Sequence, residues 1–196
     1  MDSVGIGAAA DADRFGGEDF TDDYVSSFSS LGPTPGDFVV KPDLVAPGNR
    51  LISTVPDGST LASLLPDRVV ACSASSDCTD DYLVMSGTSM AAPVVSATVA
   101  MMLEKDPSLT PATVKARLMR SAHKFPGSSP IEIGAGLLDM EAALNETGTI
   151  SGEALSPLMV FDDATGGTLI EDTGLLWGDT VWASGFLWTD GGGVNA

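Results

Sequence analysis

An eight-residue segment, SGTSMAAP at residues 86–93, leads directly into an apolar run that ends at Leu103. Gly87 permits a tight turn, and Thr88 and Ser89 are residue types that begin helices. Apolar side chains then recur at helical spacing, which predicts a buried helix over residues 94–103. A serine at a helix N-terminus lies beside unpaired N–H groups and the positive end of the helix dipole. Such a serine suits acyl transfer, because an oxyanion forms beside the nucleophile; an ordinary capped helix is the alternative interpretation.

The same segment resembles the active-serine motif of the subtilisin-like serine proteases, the subtilases of peptidase family S8. The resemblance implies that Ser89 is the nucleophile, that its backbone N–H is one oxyanion donor, and that Gly87, Thr88, Met90 and Pro93 support the motif. Five other segments resemble family motifs and occur in the family's order: residues 3–8 (SVGIGA), 28–34 (FSSLGPT), 41–48 (KPDLVAPG), 107–115 (PSLTPATVK) and 134–139 (GAGLLD).

The resemblance implies an α/β chain with a partial subtilisin-like three-layer fold, a parallel sheet, a buried helix after the nucleophile serine and a short β-rich tail. Strands are predicted over residues 4–10, 44–46 and 50–55, and helices after the cap Thr110 and over 137–144. Residues 1–146 are expected to form the C-terminal part of the peptidase domain. Residues 147–196, rich in Gly and Thr and containing Trp177, Trp182 and Trp188, are expected to form a β-hairpin and a disordered end.

A subtilisin-like site uses Asp, His and Ser in that chain order. The single histidine, His123, follows Ser89 and is therefore in the wrong order for this family. The resemblance places the family's Asp, His and oxyanion-hole Asn segments before the strand at residues 3–8. The resemblance thus implies that the sequence is the C-terminal half of a protease domain without its Asp and His segments. For the isolated chain, a non-catalytic module and an active hydrolase are equally compatible with the sequence.

His123 leaves a second enzymatic hypothesis open, in which it serves as an alternative base for Ser89. Residues 87–91 nearly match the G-x-S-x-G motif, and His123 follows the serine as in an α/β-hydrolase-like esterase. Against this hypothesis, residue 91 is Ala, and Asp106 and His123 bracket a predicted helix. A surface histidine at the end of that helix is the interpretation we favour.

Charge and hydropathy limit the partners of this chain. Acidic residues number 27 and basic residues 9, giving a net charge of −18, which disfavours nucleic acid because phosphates would be repelled. No apolar run has the length of a membrane span. Together with this composition, the family resemblance implies an extracellular chain, and the resemblance implies that its substrates are polypeptides or esters. We also expect that it self-associates or binds a missing N-terminal half.

Two loops carry residue types that could form cross-links or ion sites. Cys72 and Cys78 lie in a long insertion over residues 57–81, at a spacing that permits a small-loop disulfide; two reduced thiols are the other interpretation. No cofactor is expected. A second loop contains an acidic cluster that offers oxygen ligands to calcium, formed by Asp11, Asp13, Glu18, Asp19, Asp22 and Asp23. The cluster lacks the spacing of a calcium-binding loop, so we favour a solvated acidic loop without calcium.

Overall fold

The computed structural model describes residues 4–10, 23–56, 58–70, 82–123, 128–163, 166–171, 187–189 and 192–194. Its strands and helices are, in chain order, β1 (Ile6–Ala10), β2 (Tyr24–Val25), β3 (Leu44–Pro47), β4 (Leu51–Thr54), α1 (Thr60–Leu64), a 3₁₀ turn (Pro66–Arg68), β5 (Tyr82–Met85), α2 (Thr88–Lys105), α3 (Pro111–Ser121), α4 (Pro130–Ile133), α5 (Met140–Asn145), β6 (Leu158–Asp162), β7 (Gly167–Glu171), β8 (Leu187–Thr189) and β9 (Gly192–Val194). No helix of these residues is both long and apolar enough to span a bilayer.

A parallel pair of strands forms the centre of the fold, as predicted. β1 pairs with β3 in parallel register from Ile6–Leu44 to Ala9–Pro47, and β2 pairs antiparallel with the end of β1. Ala8, Ala9 and Ala46 are buried. Small side chains on these strands let helix α2 pack closely across β1 and β3.

The helices complete the hydrophobic core, with α5 packed against both α2 and α3. Each large apolar side chain that is fully buried contributes roughly 1.5–3 kcal/mol. The largest of these are Leu44, Met102, Leu118, Met119 and Ile133. Helix α3 begins where the sequence predicts, because the Thr110 side chain accepts a hydrogen bond from Thr113 N at 3.2 Å and Pro111 is its first residue.

Helix α2 is longer than predicted and only partly buried. It runs from Thr88 to Lys105, and the buried side chains are Ala91, Val95, Thr98 and Met102, which lie on one face. The opposite face, which includes Pro93, Ala97 and Ala100, is exposed within the described residues. The described residues therefore cover only one face of the apolar run.

The predicted helix over residues 137–144 is wrong at its start. Leu137 is extended, because its N–H and C=O pair with His123 at 2.7 and 2.8 Å, and Leu138 N donates to Val45 O at 2.8 Å. Helix α5 starts at Met140, after Asp139 has capped it by accepting a hydrogen bond from Ala142 N. The predicted strand at residues 50–55 is present as β4, which forms an antiparallel hairpin with β5.

The C-terminal residues are partly joined to the core formed by residues 4–146. Val40 N donates to Pro157 O and Met159 N donates to Phe38 O, each at 2.8 Å. Ala154 and Ile170 belong to the same buried cluster as the core of residues 4–146. The hairpin predicted around Trp177, Trp182 and Trp188 stays a prediction, because most of residues 176–188 lie outside the described part of the chain. The hairpin that the structure describes is β6–β7, earlier in the chain. Residues 192–194, expected to be disordered, pair as β9 with β8 through their backbone.

Candidate active site

Ser89 is the second residue of α2 and is exposed. Gly87 is the residue before the helix, and its φ of 156° and ψ of 160° lie in a region open essentially to glycine. The carbonyl of Gly87 accepts from Met90 N at 2.9 Å and from Ala91 N at 3.2 Å. Within the described residues the N–H of Ser89 donates to no backbone acceptor, so it is free to bind a developing oxyanion.

The turn after β3 fixes the start of α2. Gly87 N donates to Gly48 O at 2.8 Å, and Gly48 N donates to Ala9 O at 3.1 Å. A Cβ on Gly48 would lie 2.7 Å from Ala8 Cβ, 2.9 Å from Gly87 O and 3.1 Å from Ala91 Cβ. Only glycine allows this approach, which ties the helix that begins at Thr88 to the ends of the two parallel strands.

Ser86 anchors the other side of the same turn. Its Oγ accepts a hydrogen bond from Arg50 N at 2.8 Å and donates to Asn49 Oδ1 at 3.0 Å. Thus two hydrogen bonds from a side chain three residues before Ser89 hold the loop at residues 49–50. Sequence reasoning missed this contact, because it joins segments 36 and 37 residues apart.

Two concave surfaces adjoin the serine motif. A groove of about 540 Å³ lies between α2 and the β4–β5 hairpin, and its apolar lining includes Leu51, Met85, Met90, Pro93 and Val94. A second cleft of about 350 Å³ reaches from Thr88 to the loop that follows β2. Thr88, Met90 and Pro93 therefore line concave surfaces next to Ser89.

The described backbone pairs His123 with Leu137, whereas the turn before Ser89 is hydrogen-bonded to Gly48. Val45 of β3 pairs with Leu137, and Leu137 pairs with His123, on the side of β3 away from β1. Two strand spacings of about 4.8 Å put the His123 backbone roughly 10 Å from β3. The start of α2 lies instead against Gly48 and Ala8. A general base must lie within about 2.6–3.2 Å of the atom whose proton it removes.

Asp106, the other residue of the esterase hypothesis, caps a turn. The hydroxyl of Ser108 at 2.6 Å, followed by its backbone N–H at 3.1 Å, holds the pKa of Asp106 below its usual value. The carboxylate is therefore engaged at the C-terminal end of α2, at the opposite end of the helix from Ser89.

The other sequence candidates lie beyond the described part of the chain. This holds for Cys72 and Cys78 and for every member of the acidic cluster except Asp23. Among the residues that are described, no group of three or more His, Cys, Asp or Glu side chains could hold a metal ion.

A buried polar cluster below the site was also missed by sequence reasoning. The Asp43 carboxylate is fully buried and accepts hydrogen bonds from Gly5 N at 2.6 Å and Ser156 Oγ at 2.5 Å. Lys41 pairs with the same carboxylate, and Lys115 Nζ lies 3.4 Å from it. The KPD segment at residues 41–43, directly before the buried strand β3, supplied the only sequence signal, because charged groups next to buried residues need partners.

A serine at the N-terminus of a helix beside parallel strands, with an unpaired N–H, is an arrangement suited to acyl transfer. The profile of the subtilase family, peptidase S8, matches residues 3–149. The chain therefore belongs to the subtilase family.

Individual relatives agree with this assignment. Serine protease AprX of Bacillus subtilis is 38% identical over 120 residues, covering 61% of this chain and 25% of that protein. An extracellular protease of Xanthomonas campestris is 35% identical over 133 residues, covering 67% of this chain and 20% of that protein.

Solved structures show the same fold. Fervidolysin from Fervidobacterium pennivorans, a keratinolytic enzyme related to subtilisin, gives a TM-score of 0.54 at 27% identity, covering 81% of this chain and 20% of that one. The CspB protease of Clostridium perfringens gives 0.50 at 26% identity, covering 71% and 25%. The chain thus spans about a quarter or less of each of these proteins.

Proposed function

We propose that this chain carries the nucleophile of a serine endopeptidase that cleaves polypeptides, and also esters, through an acyl-enzyme on Ser89. The observation that carries the proposal is the exposed Ser89 at the start of α2, with its N–H directed to no backbone acceptor among the described residues. Ser89 Oγ attacks the scissile carbonyl and its proton passes to a base. The oxyanion accepts a hydrogen bond from Ser89 N, the amine leaves with a proton, and water hydrolyses the acyl group.

The general base comes, in this proposal, from polypeptide outside these 196 residues. The only imidazole of the sequence is His123, whose backbone pairs with Leu137 on the side of β3 away from β1. A neutral serine hydroxyl is a weak nucleophile at pH 7. The isolated chain is therefore expected to leave peptides uncleaved and to react slowly with activated esters, whose leaving groups need no protonation.

The remainder of the peptidase domain is the partner that we propose for the uncovered face of the core. The observation that supports it is the exposed, small-residue face of α2 at Pro93, Ala97 and Ala100. An uncovered apolar helix face favours association.

The chain alone is therefore expected to self-associate. Light scattering after size exclusion should show dimers or larger species, and Ala100→Glu should shift the population towards monomer, because it places a charge on the exposed face of α2. Ser63→Glu, on exposed α1, is the matched control and should change nothing. A monomeric parent chain with cooperative unfolding would contradict the proposed surface.

An extracellular location is part of the proposal. One relative is named as an extracellular protease, and a net charge of −18 suits a protein that stays soluble outside the cell.

A non-catalytic interaction module is the second candidate, because the described residues place no base beside Ser89.

Hydrolysis of a p-nitrophenyl ester separates these candidates. The parent chain should release p-nitrophenol in a slow burst, which Ser89→Ala abolishes and His123→Ala retains. Absence of a burst from the folded parent chain supports the non-catalytic module. Equal loss in both variants, with unchanged circular dichroism, would make His123 the base and overturn the proposal.

A further inference from the structure

Arg50 adopts a backbone conformation that is rare for its residue type. Its φ is 56°, in the left-handed region that disfavours long side chains. Its N–H donates to Ser86 Oγ at 2.8 Å, so the hydroxyl of the serine motif holds it there. Strained backbone of this kind persists where the surrounding structure fixes it, and it concentrates at functional sites.

The guanidinium of Arg50 is available for a ligand. Arg50 is exposed, and in the part of the chain that the structure describes no salt bridge of Arg50 is found. The chain has nine basic residues against 27 acidic ones. An exposed arginine is therefore a cation on a chain whose net field repels anions.

Arg50 also lies close to the nucleophile. One hydrogen bond separates its backbone from Ser86, three residues before Ser89, and the adjoining Gly48 O accepts from Gly87 N at 2.8 Å. An extended peptide advances about 3.3–3.6 Å per residue, so side chains two or three residues from the scissile bond lie roughly 7–10 Å from it. The two hydrogen bonds join the loop at residues 48–50 to the turn that precedes Ser89.

We propose that Arg50 is a specificity-determining residue that binds a carboxylate of the substrate two or three residues from the scissile bond. The carboxylate belongs to an Asp or Glu side chain or to the C-terminus of the peptide. The guanidinium fork matches either one through two parallel hydrogen bonds. This inference rests on the proposed function, since it assigns selectivity to the site of Ser89.

Equilibrium binding tests Arg50 without requiring turnover. The Ser89→Ala variant of the full chain is titrated with pairs of fluorescent peptides. The two peptides of a pair carry Glu or Gln at one position, and the pairs together cover every position up to three residues on either side of a central bond. A parallel pair carries a C-terminal carboxylate or a carboxamide. At low ionic strength the carboxylate peptides should bind about two- to fivefold more tightly than their neutral partners, as an exposed ion pair allows.

Two further variants assign the effect to Arg50. Arg50→Asn removes the charge while keeping a residue that tolerates left-handed backbone, and should abolish the preference without loss of fold. Arg68→Asn, at an exposed arginine after α1, is the matched control and should keep it. The pair of peptides that shows the preference identifies the source of the carboxylate.

Equal binding of charged and neutral peptides, a preference that survives Arg50→Asn, or no binding of any peptide would overturn the assignment. These outcomes are separate from a failure of the proposed function, which is judged by the ester burst of the chain that retains Ser89.

Discussion

The Ser156 hydroxyl joins the C-terminal extension to the buried charges below the active site, and Ser156→Ala tests its contribution. Ser156 Oγ donates to Asp43 Oδ1 at 2.5 Å and accepts from Lys41 Nζ and Lys115 Nζ, each at 2.9 Å. The substitution removes these bonds with little change of volume. Asp43 keeps its hydrogen bond from Gly5 N, so the loss should be close to that of one hydrogen bond to a charged group.

A hydrogen bond to a charged partner contributes about 1.5–3 kcal/mol, which is the expected fall in the free energy of unfolding. For a domain of this size, 1 kcal/mol shifts Tm by about 2–4 °C, so Tm should fall by roughly 3–12 °C. Urea and thermal unfolding, followed by circular dichroism, measure both quantities. The matched control is Ser151→Ala, at an exposed serine for which no hydrogen bond is found among the described residues; it should stay within about 0.5 kcal/mol of the parent.

The reasoning would be refuted if Ser156→Ala were as stable as Ser151→Ala. The extension would then be an independent unit, as the expected boundary at residues 146–147 implies. A large loss would show that residues 147–157 stabilise the peptidase core energetically, as Ala154 and the bonds to residues 38–40 indicate geometrically.

Two further predictions concern the turn before α2 and the cysteine loop. Gly48→Ala should lower the free energy of unfolding by about 1–3 kcal/mol, because its Cβ would press on Ala8, Gly87 O and Ala91, and it should slow acylation of Ser89; thermal unfolding and ester kinetics measure this, and a fully stable, fully reactive variant would contradict the close approach. Cys72 and Cys78 should be linked in protein prepared under oxidising conditions; peptide mass spectrometry without reduction detects the link, and alkylation of both thiols would show the prediction to be wrong.

Local patterns in the sequence were sufficient where the structure depends on neighbouring residues. Gly87 followed by Ser89 and an apolar run predicted the start of α2, and Thr110 followed by Pro111 predicted the start of α3. Each of these elements is set by a cap and a helical repeat, both of which lie within a few residues.

Contacts between distant segments could not be predicted in this way. Leu137 is apolar and precedes a helix, yet it is extended because Val45 and His123 offer it backbone partners. The bond between Ser156 and Asp43 joins residues 113 positions apart. The left-handed backbone of Arg50 depends on a hydroxyl 36 residues away and contradicts the preference of its own side chain.

The central claim is that Ser89 becomes acylated without help from His123, and the site of acylation tests it most directly. The parent chain, Ser89→Ala and His123→Ala are each incubated with p-nitrophenyl acetate, quenched in acid, digested and mapped by mass spectrometry. The account predicts one acetyl group on the peptide containing Ser89 in the parent and in His123→Ala, and none there in Ser89→Ala. An acetyl group that maps to another residue, or that disappears with His123→Ala in a folded chain, would contradict the account.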